Sequence, residues 1–290
     1  MIANNIVAPD QQKVALITGC SSGIGRCVAL GLQQRGHTVF ATVRNEADLK
    51  DLKTQGLSGM QLDLNDSNSI NTCVSTLLTM TNGRIDVLFN NAAYGQPGAV
   101  EDLTRQVLRA QLEANLLGTL ELTNLVIPAM RRQGFGRIIQ NSSVLGLIAL
   151  PYRGAYTASK FALEGLSDTM RLELKGSGIH VALIEPGPIE SQFRANAFIA
   201  YKKYIDNRNS AHRHTYQAME NRLTKKGPAV PFTLPPEAVL AKVIHAVESP
   251  RPKIRYYVTF PTYLFATLKR VLPHAALDWV LSRVSRSEHQ

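Results

Sequence analysis

The residues whose types and spacing suggest chemistry most directly are a tyrosine and a lysine four positions apart. Tyr156 and Lys160 lie in a stretch that is predicted to be helical, so their side chains would share one face, about 5–6 Å apart. A free phenol has a pKa of about 10 and exchanges protons poorly at neutral pH. A nearby ammonium favours the phenolate and lowers that pKa, which suits general acid–base catalysis. The same spacing is also common between ordinary surface neighbours.

A glycine-rich segment, T-G-C-S-S-G-I-G at residues 18–25, lies between a predicted strand and a predicted helix. Glycines permit a tight turn there and let a diphosphate approach the backbone N–H groups at a helix start. The segment therefore indicates dinucleotide binding, with an ordinary tight turn as the alternative.

A pair of serines, Ser142 and Ser143, follows a predicted fifth strand, and Tyr156 comes thirteen positions after Ser143. In an open α/β sheet the ligand crevice lies at the carboxyl ends of the strands. A hydroxyl at such an end can donate a hydrogen bond to a substrate carbonyl, although strand-end serines are also routine in turns.

The elements that must position these groups alternate between strand and helix. This alternation predicts a three-layer α/β fold, a doubly wound parallel sheet of the Rossmann type. Residues 104–132 form a long helical stretch in which Pro128 predicts a bend or a break. The predicted strands are residues 13–18, 37–43, 58–62, 85–89, 137–141, 179–184 and 254–259.

The domain organisation follows from where this alternation stops. We expect a tail at 1–12, one domain over 13–260 and an amphipathic helical extension at 261–290, in two pieces separated by Pro273. Within the domain, residues 191–234 show no clear strand and are predicted to form a substrate lid.

Composition and charge exclude several classes of protein. The chain has 290 residues, of which 44% are hydrophobic, and a net charge of +10. That charge is concentrated in 201–226 and 251–290, which each hold seven basic and two acidic residues, whereas 1–200 holds seventeen basic and sixteen acidic. A nucleic-acid reader usually carries its basic patch on the folded core, so we expect no nucleic-acid partner. Three cysteines form no metal-ligand pattern and no disulfide framework, and the first twelve residues do not resemble a signal peptide; we expect a cytoplasmic protein without a metal.

Taken together, these motifs resemble the short-chain dehydrogenase/reductase superfamily over residues 13–192. The resemblance departs from the family pattern at Ala93, where N-N-A-G is usual. The matching motifs are T-G-C-S-S-G-I-G at 18–25, Asp63, N-N-A-A at 90–93, Asn115, S-S at 142–143, Y-T-A-S-K at 156–160 and P-G at 186–187.

The resemblance implies a catalytic role for four residues. Tyr156 would donate the proton in reduction and accept it in oxidation, and Lys160 would hold the nicotinamide ribose and depress the tyrosine pKa. Ser143 would orient the substrate carbonyl, and Asn115 would hold a water that links Lys160 to solvent. A polar residue that merely bends its helix is the alternative for Asn115.

The resemblance also implies a set of cofactor contacts. Asp63 would accept a hydrogen bond from the adenine, or simply cap a helix. Asn90 and Ala92 would line the adenosine ribose, and Ile189 and Ser191 would bind the carboxamide. The predicted cofactor-binding residues are Gly19, Ser21, Ser22, Gly23, Ile24, Gly25, Arg44, Asp63, Leu64, Asn90, Ala92, Tyr156, Lys160, Pro186, Gly187, Ile189 and Ser191.

The choice between the two nicotinamide cofactors follows from charge. A free 2′-hydroxyl is usually bound by an acidic residue at the end of the second strand, where this chain has Arg44 and no carboxylate. An arginine attracts a 2′-phosphate, so we expect NADP(H) to be preferred over NAD(H). The alternative is that Arg44 simply ends a strand.

The lid and the residues after the serines indicate the substrate. Aromatic side chains in the lid predict an apolar pocket and hence a hydrophobic aldehyde, ketone or alcohol. In layout the chain is similar to NADP-dependent aldehyde reductases and to hydroxysteroid and retinol dehydrogenases. An NAD-dependent sterol or retinol dehydrogenase and a dinucleotide sensor without turnover are the alternatives. The side chains expected to line the pocket are Phe193, Phe198, Tyr201, Tyr204, Phe232, Val144, Leu145, Leu147 and Tyr152.

The extension at 261–290 mixes large apolar residues with Lys269, Arg270 and Arg283. A basic amphipathic helix can lie on an anionic membrane, and it can equally pack on its own domain or on a partner subunit. The family resemblance implies a homodimer or homotetramer formed through the helices at 104–132 and 154–176.

Overall fold

Seven parallel strands form one sheet in the computed structural model, which describes residues 6–287, with side chains to residue 284. The ends of the predicted tail (1–12) and extension (261–290) lie outside the described residues. The spatial order is β3-β2-β1-β4-β5-β6-β7, so the order reverses between β1 and β4. The predicted doubly wound sheet is therefore confirmed. The strands are β1 (Val14–Ile17), β2 (Thr38–Val43), β3 (Ser58–Gln61), β4 (Val87–Asn90), β5 (Gly136–Asn141), β6 (Ile179–Glu185) and β7 (Arg255–Tyr257).

Helices cover both faces of this sheet. Sequential strands are joined by helices because parallel strands need long crossovers. The helices are α1 (Gly23–Gln34), α2 (Glu46–Thr54), α3 (Ser67–Met80), α4 (Arg105–Leu112), α5 (Gly118–Gln133), α6 (Gly154–Glu173), α7 (Phe193–Tyr204), α8 (Arg213–Thr224), α9 (Glu237–Glu248), α10 (Phe260–Val271) and α11 (His274–Ser287).

The burial of β1 shows why the strand sequences are apolar without alternation. Ala15 and Ile17 belong to a core shared with α1 and α9, whereas Val14 and Leu16 belong to a core shared with α3 and α5. Successive side chains of a strand point to opposite faces, so both faces of this strand are buried.

The long helical stretch is interrupted, but not where proline predicted it. The helix α5 continues through Pro128, so the prediction of a break there is wrong. The irregularity lies at Glu113–Leu117, a π-helical turn between α4 and α5. Such turns often occur at functional sites, and this one contains Asn115.

The segment predicted as a lid folds into α7 and α8, which share a small core with Ala99 and Tyr152 of the preceding part of the domain. Tyr201, Tyr216 and Met219 are buried in that core. Its two ends lie side by side, because Ile189 and Leu234 form a parallel bridge. The amide of Glu190 donates to the Leu234 carbonyl at 3.0 Å.

The C-terminal helices pack across the end of the sheet. Phe265 of α10 and Leu277 of α11 share a buried cluster with Leu145 and Ile148, in the segment after β5. One apolar face of the extension therefore packs on its own domain. Among residues 6–287, no helix combines the length and apolar character needed to cross a bilayer.

Candidate active site

The sequence-predicted residues converge at the carboxyl ends of the strands around the point where the strand order reverses. The glycine-rich segment follows β1, Asn90 ends β4, and Ser143 follows β5. Open α/β sheets bind their ligands in the crevice at this position. The topology therefore brings together groups that are up to about 170 positions apart in sequence.

The glycine-rich segment is packed so closely that side chains cannot replace its glycines. A Cβ at Gly25 would lie 2.2 Å from the Gly19 carbonyl oxygen, and one at Gly19 would lie 2.8 Å from the Ala92 Cα. Gly19 also has a φ of 72°, which favours glycine. The backbone is thereby free to approach a ligand at the first turn of α1.

Three side chains of this segment were predicted to contact a cofactor. Ser21 and Ser22 are partly exposed, and Ser22 is the N-cap residue of α1 in an extended conformation. Ile24 packs on the core under α1. The two serines therefore lie partly exposed at the start of α1, and Ile24 lies on the inner side of the helix.

A residue that the sequence analysis did not single out, Asn91, holds this segment in place. Its side-chain amide donates to the carbonyls of Thr18 at 2.9 Å and Gly19 at 3.2 Å. Its Oδ1 accepts from the Asn141 Nδ2 at 2.9 Å. The Thr18 hydroxyl accepts from the amides of Asn91 and Ala92, both at 2.9 Å. The signal was present, because Asn91 belongs to the N-N-A-A motif.

Its neighbour Asn90 is directed into the fold. Its amide is buried and donates to the Thr123 hydroxyl of α5 at 2.9 Å. Ala92 lies partly exposed against Gly19. Asn90 thus joins β4 to α5, whereas Ala92 lies at the crevice.

The tyrosine and the lysine share one face of α6, as predicted. The Lys160 ammonium is buried and donates to the Asn141 carbonyl at 2.6 Å. It lies 5.6 Å from the centre of the Tyr156 ring. Ser143 lies close enough to hydrogen-bond with the Tyr156 hydroxyl, and its own Oγ accepts from the Leu145 amide at 3.1 Å.

The electrostatics of this pair differ from the prediction that the lysine lowers the tyrosine pKa. Although Tyr156 keeps some exposed surface, burial around its hydroxyl raises its pKa, and the hydrogen bond with Ser143 counteracts only part of this effect. Burial lowers the pKa of Lys160 to about 8, against the opposing effect of Glu164. The cost of removing the phenolate and the ammonium from water therefore dominates both pKa values.

Asn115 is fixed by the backbone of the segment after β4. Its Oδ1 accepts from the Tyr94 amide at 3.1 Å, and its Nδ2 donates to the Tyr94 carbonyl at 2.8 Å. Nδ2 also lies 3.3 Å from the Ser159 hydroxyl, next to Lys160. The π-helical turn thus connects α4 and α5 to the catalytic face of α6.

Arg44 lies exposed at the end of β2. Its carbonyl accepts from Gln61 Nε2 at 3.1 Å. Within the described part of the chain, no carboxylate forms an ion pair with its guanidinium. Its charge is therefore available to a ligand at this strand end.

Asp63 and Leu64, the second and third residues after β3, have different environments. Asp63 Oδ1 accepts from the amide and the side chain of Asn65, at 3.0 and 2.9 Å. Leu64 is buried, and its carbonyl would lie 1.9 Å from a Cβ at Gly118. Asp63 stays near the surface, whereas the side chain of Leu64 belongs to the core.

The P-G segment after β6 closes the other side of the crevice. The Pro186 carbonyl accepts from the Val144 amide at 2.8 Å, and a Cβ at Gly187 would lie 2.2 Å from the Thr259 hydroxyl. Ser191 then approaches the glycine-rich segment, because its Cβ would lie 2.9 Å from one built at Gly23. Ile189 stands between them in the bridge with Leu234.

The lid brings one aromatic ring to the tyrosine. The Phe193 ring lies 5.2 Å from the Tyr156 ring in a T-shaped arrangement and fits against Gly95. The expectation for the other lid aromatics was less accurate. Phe198 and Tyr201 pack in the core that the lid shares with Ala99 and Tyr152, because the lid must bury its apolar surface. Phe232 is exposed against Phe260.

A second apolar wall against Tyr156 comes from the segment after β5 and the C-terminal helices. Val144 and Leu145 share a cluster with Tyr156, Phe265 and Leu268. The tyrosine therefore faces apolar side chains on this side as well. The helices of the extension, which the sequence placed outside the domain, line this wall.

A comparison with protein-family models matches residues 13–202 to the short chain dehydrogenase family. Among curated proteins, the chain is 42% identical to an uncharacterized oxidoreductase, YbbO, of Escherichia coli (strain K12), over 93% of this chain and 94% of that protein. It is 34% identical to 17-beta-hydroxysteroid dehydrogenase type 1 of Homo sapiens, over 85% of this chain and 77% of that protein. Among solved structures, it resembles a short-chain dehydrogenase from Streptomyces avermitilis, with a TM-score of 0.76, 27% identity and 97% of both chains covered.

Proposed function

Because the chain belongs to the short-chain dehydrogenase family and is thus an oxidoreductase that uses a nicotinamide cofactor, we propose that it transfers hydride between NADP(H) and a hydrophobic aldehyde, ketone or the corresponding alcohol. The observation that carries the proposal is the arrangement of Tyr156, Ser143 and Lys160 at the crevice where the strand order reverses. A dinucleotide sensor would not need this tyrosine–serine pair.

The chain's own residues fit the cofactor. The backbone around Gly19 and Gly25 has no room for side chains, which matches close approach of a diphosphate to the start of α1. Ser22 and Arg44 would hold the 2′-phosphate, and Lys160 would hold the nicotinamide ribose. When bound, the nicotinamide supplies the hydride, and the protein positions and polarises the substrate.

In reduction, Tyr156 would donate its phenolic proton to the substrate oxygen, and in oxidation it would accept that proton. Burial raises the pKa of Tyr156, which keeps its hydroxyl protonated but makes it a weaker acid, so proton transfer requires neighbouring groups that stabilise the phenolate. Ser143 would donate a hydrogen bond to the same oxygen and stabilise the negative charge that develops there. Lys160, anchored on Asn141 and flanked by Asn115, would lower the cost of the phenolate.

The preference for NADP(H) rests on charge. A phosphate monoester carries about −1.5 to −2 charges at neutral pH. Arg44 is exposed at the end of β2 without a carboxylate partner among the described side chains. A planar guanidinium binds phosphate oxygens in pairs, which favours the phosphorylated cofactor.

The substrate class rests on the walls around Tyr156. Phe193 covers one side of the tyrosine, and Leu145, Phe265 and Leu268 lie on the other. Such a lining favours apolar over polyhydroxylated substrates. The similarity to a 17-beta-hydroxysteroid dehydrogenase also supports this class.

The experiment is a carbonyl-reduction assay with NADPH and with NADH. Aliphatic, aromatic and steroid carbonyls and one sugar aldehyde are compared by the loss of reduced-nicotinamide absorbance, with Tyr156→Phe as the variant. We expect turnover of apolar carbonyls with NADPH and loss of at least about 100-fold in the variant, typical of a removed general acid. Tight NADPH binding without turnover of any carbonyl or of the matching alcohols would contradict the proposal and favour a sensor.

A further inference from the structure

The helix α10 is apolar on two faces, although only one of them is covered. Its inner face contributes Phe265 and Leu268 to the cluster that contains Tyr156. A helix that is apolar all round is normally buried on all sides. The opposite side, which we call the outer face of α10, consists of Phe260, Tyr263, Leu264, Thr267 and Val271.

The other four residues of this outer face follow Phe260 by three, four, seven and eleven positions, so the five form one stripe along the helix. Its apolar members are 57% (Phe260), 49% (Tyr263), 39% (Leu264) and 65% (Val271) exposed. The stripe continues onto Phe232 of the lid, which is 58% exposed and lies 5.1 Å from the Phe260 ring. Single exposed apolar residues are normal, but a contiguous apolar patch marks a surface that binds another protein, a ligand or a membrane.

The charges around the stripe indicate which of these partners would bind it. Residues 251–284 contain six basic side chains and one acidic one, Asp278. Arg255 is neutralised by buried carboxylates, which leaves five basic residues. Arg270 lies in the last turn of α10 and interacts electrostatically with Tyr257, whose ring meets that of Tyr263 at 5.3 Å.

Two further cations flank the helix. Arg283 of α11 lies 3.9 Å from the exposed Trp279 ring. Lys269 lies 4.8 Å from the Phe161 ring of α6, on the side of α10 opposite the outer face, because it follows Phe260 by nine positions. A second copy of this chain would bring the same positive charges towards each other, which is unfavourable. A negatively charged surface would satisfy both the apolar stripe and its cations.

We propose that the outer face of α10 docks on the surface of an anionic lipid bilayer. Its apolar side chains enter the boundary between headgroups and acyl chains, and Arg270 and Arg283 contact lipid phosphates. The same helix then has the bilayer on one side and the Tyr156 pocket on the other. This inference goes beyond the proposed reaction and is independent of it.

The test is co-sedimentation of the full-length, cofactor-free protein with vesicles. Vesicles of phosphatidylcholine alone are compared with vesicles that also contain phosphatidylglycerol. We expect binding only to the anionic vesicles, and weaker binding as salt rises. Tyr263→Ser combined with Leu264→Ser, and separately Arg270→Glu combined with Arg283→Glu, should each lower the partition coefficient by about tenfold or more.

A matched control replaces equally exposed apolar residues elsewhere. Met80 and Leu172 are 62% and 65% exposed on α3 and α6, and Met80→Ser with Leu172→Ser should leave vesicle binding unchanged. Melting temperatures show that each variant folds. Absent or charge-independent binding of the parent protein, or equal binding by all variants, would overturn the proposal. So would a dimer in light scattering that the α10 substitutions dissociate, since a second copy would then cover this face.

Discussion

The carboxyl groups of Glu164 and Glu185 lie within hydrogen-bond reach of each other, and Arg255 contacts both at 3.0 Å. Glu164 follows Lys160 by one helical turn, and Glu185 ends β6 immediately before Pro186. Two buried carboxylates this close cannot both ionise easily. Burial and the neighbouring Glu164 together raise the pKa of Glu185 to about 8, so the pair holds a proton at neutral pH.

Because Glu164 and Glu185 share this proton, the free energy of unfolding should depend on pH. An unfolded glutamate has a pKa of about 4.5, so between about pH 5 and pH 8 the folded state binds more protons than the unfolded state. The free energy of unfolding should therefore fall as pH rises through this window and level off above it. Glu185→Gln mimics the protonated form and should flatten this part of the curve. Urea unfolding at pH 5 and pH 8 checks it, and parallel curves for parent and variant would contradict the shared proton.

A second prediction concerns cofactor choice at the end of β2. Arg44→Asp replaces an attractive charge with a repulsive one, so KM for NADPH should rise by about tenfold to 100-fold, with a much smaller effect on NADH. Steady-state kinetics with each cofactor measure the two KM values. Arg131→Asp, an exposed arginine at the end of α5, is the control and should change neither KM. An equal rise in KM for both cofactors would contradict the argument that Arg44 attracts the 2′-phosphate.

A third prediction concerns the aromatic cover of the site. Phe193→Ala removes the ring that lies against Tyr156, and lost burial of a half-exposed ring costs about 1–2 kcal/mol. KM for an apolar carbonyl should rise by about fivefold to 30-fold. Phe232→Ala is the matched control, because that ring lies in the same lid but packs on Phe260 instead. A similar KM in both variants would show that Phe193 does not contact the substrate.

A fourth prediction compares two glycines that differ only in their surroundings. Gly25→Ala would place a Cβ 2.2 Å from the Gly19 carbonyl oxygen and 2.6 Å from Asn91 Nδ2. We expect loss of about 1–3 kcal/mol of stability and of tight NADPH binding. Gly165→Ala on α6 meets no atom within 4 Å and should stabilise the protein by about 0.5–1 kcal/mol. Chemical unfolding and NADPH fluorescence titration check both, and intact NADPH binding by Gly25→Ala would contradict the packing argument.

Much of the architecture was predictable, because local signals and topology agree. Apolar runs bounded by turns identify the strands, and parallel strands place their carboxyl ends at one edge of the sheet. The position of the strand ends therefore places Ser143 and Gly19 at the same edge of the sheet. The homo-oligomer expected from the long helices stays a prediction.

The remaining features depend on packing between distant elements. Glu185 comes from β6, Glu164 from α6 and Arg255 from β7, and no local pattern links them. The π-helical turn around Asn115 gave no signal either, since its sequence, E-A-N-L-L, is compatible with an ordinary helix. The raised pKa of Tyr156 was not predictable for a related reason, because its burial depends on the lid and the C-terminal helices.

The bridge between Ile189 and Leu234 has a consequence for how members of this fold diversify. The backbone leaves the sheet region and returns to it at neighbouring points, with hydrogen bonds at 3.0 and 3.2 Å on either side. Loop-closure entropy grows only slowly with length, so the chain between these points can lengthen or shorten at little entropic cost. Its side chains are more constrained, because α7 and α8 pack on Ala99 and Tyr152 and the Ala99 amide donates to the Tyr216 hydroxyl. An exchanged insert would therefore have to keep this packing surface as well as the two joining points.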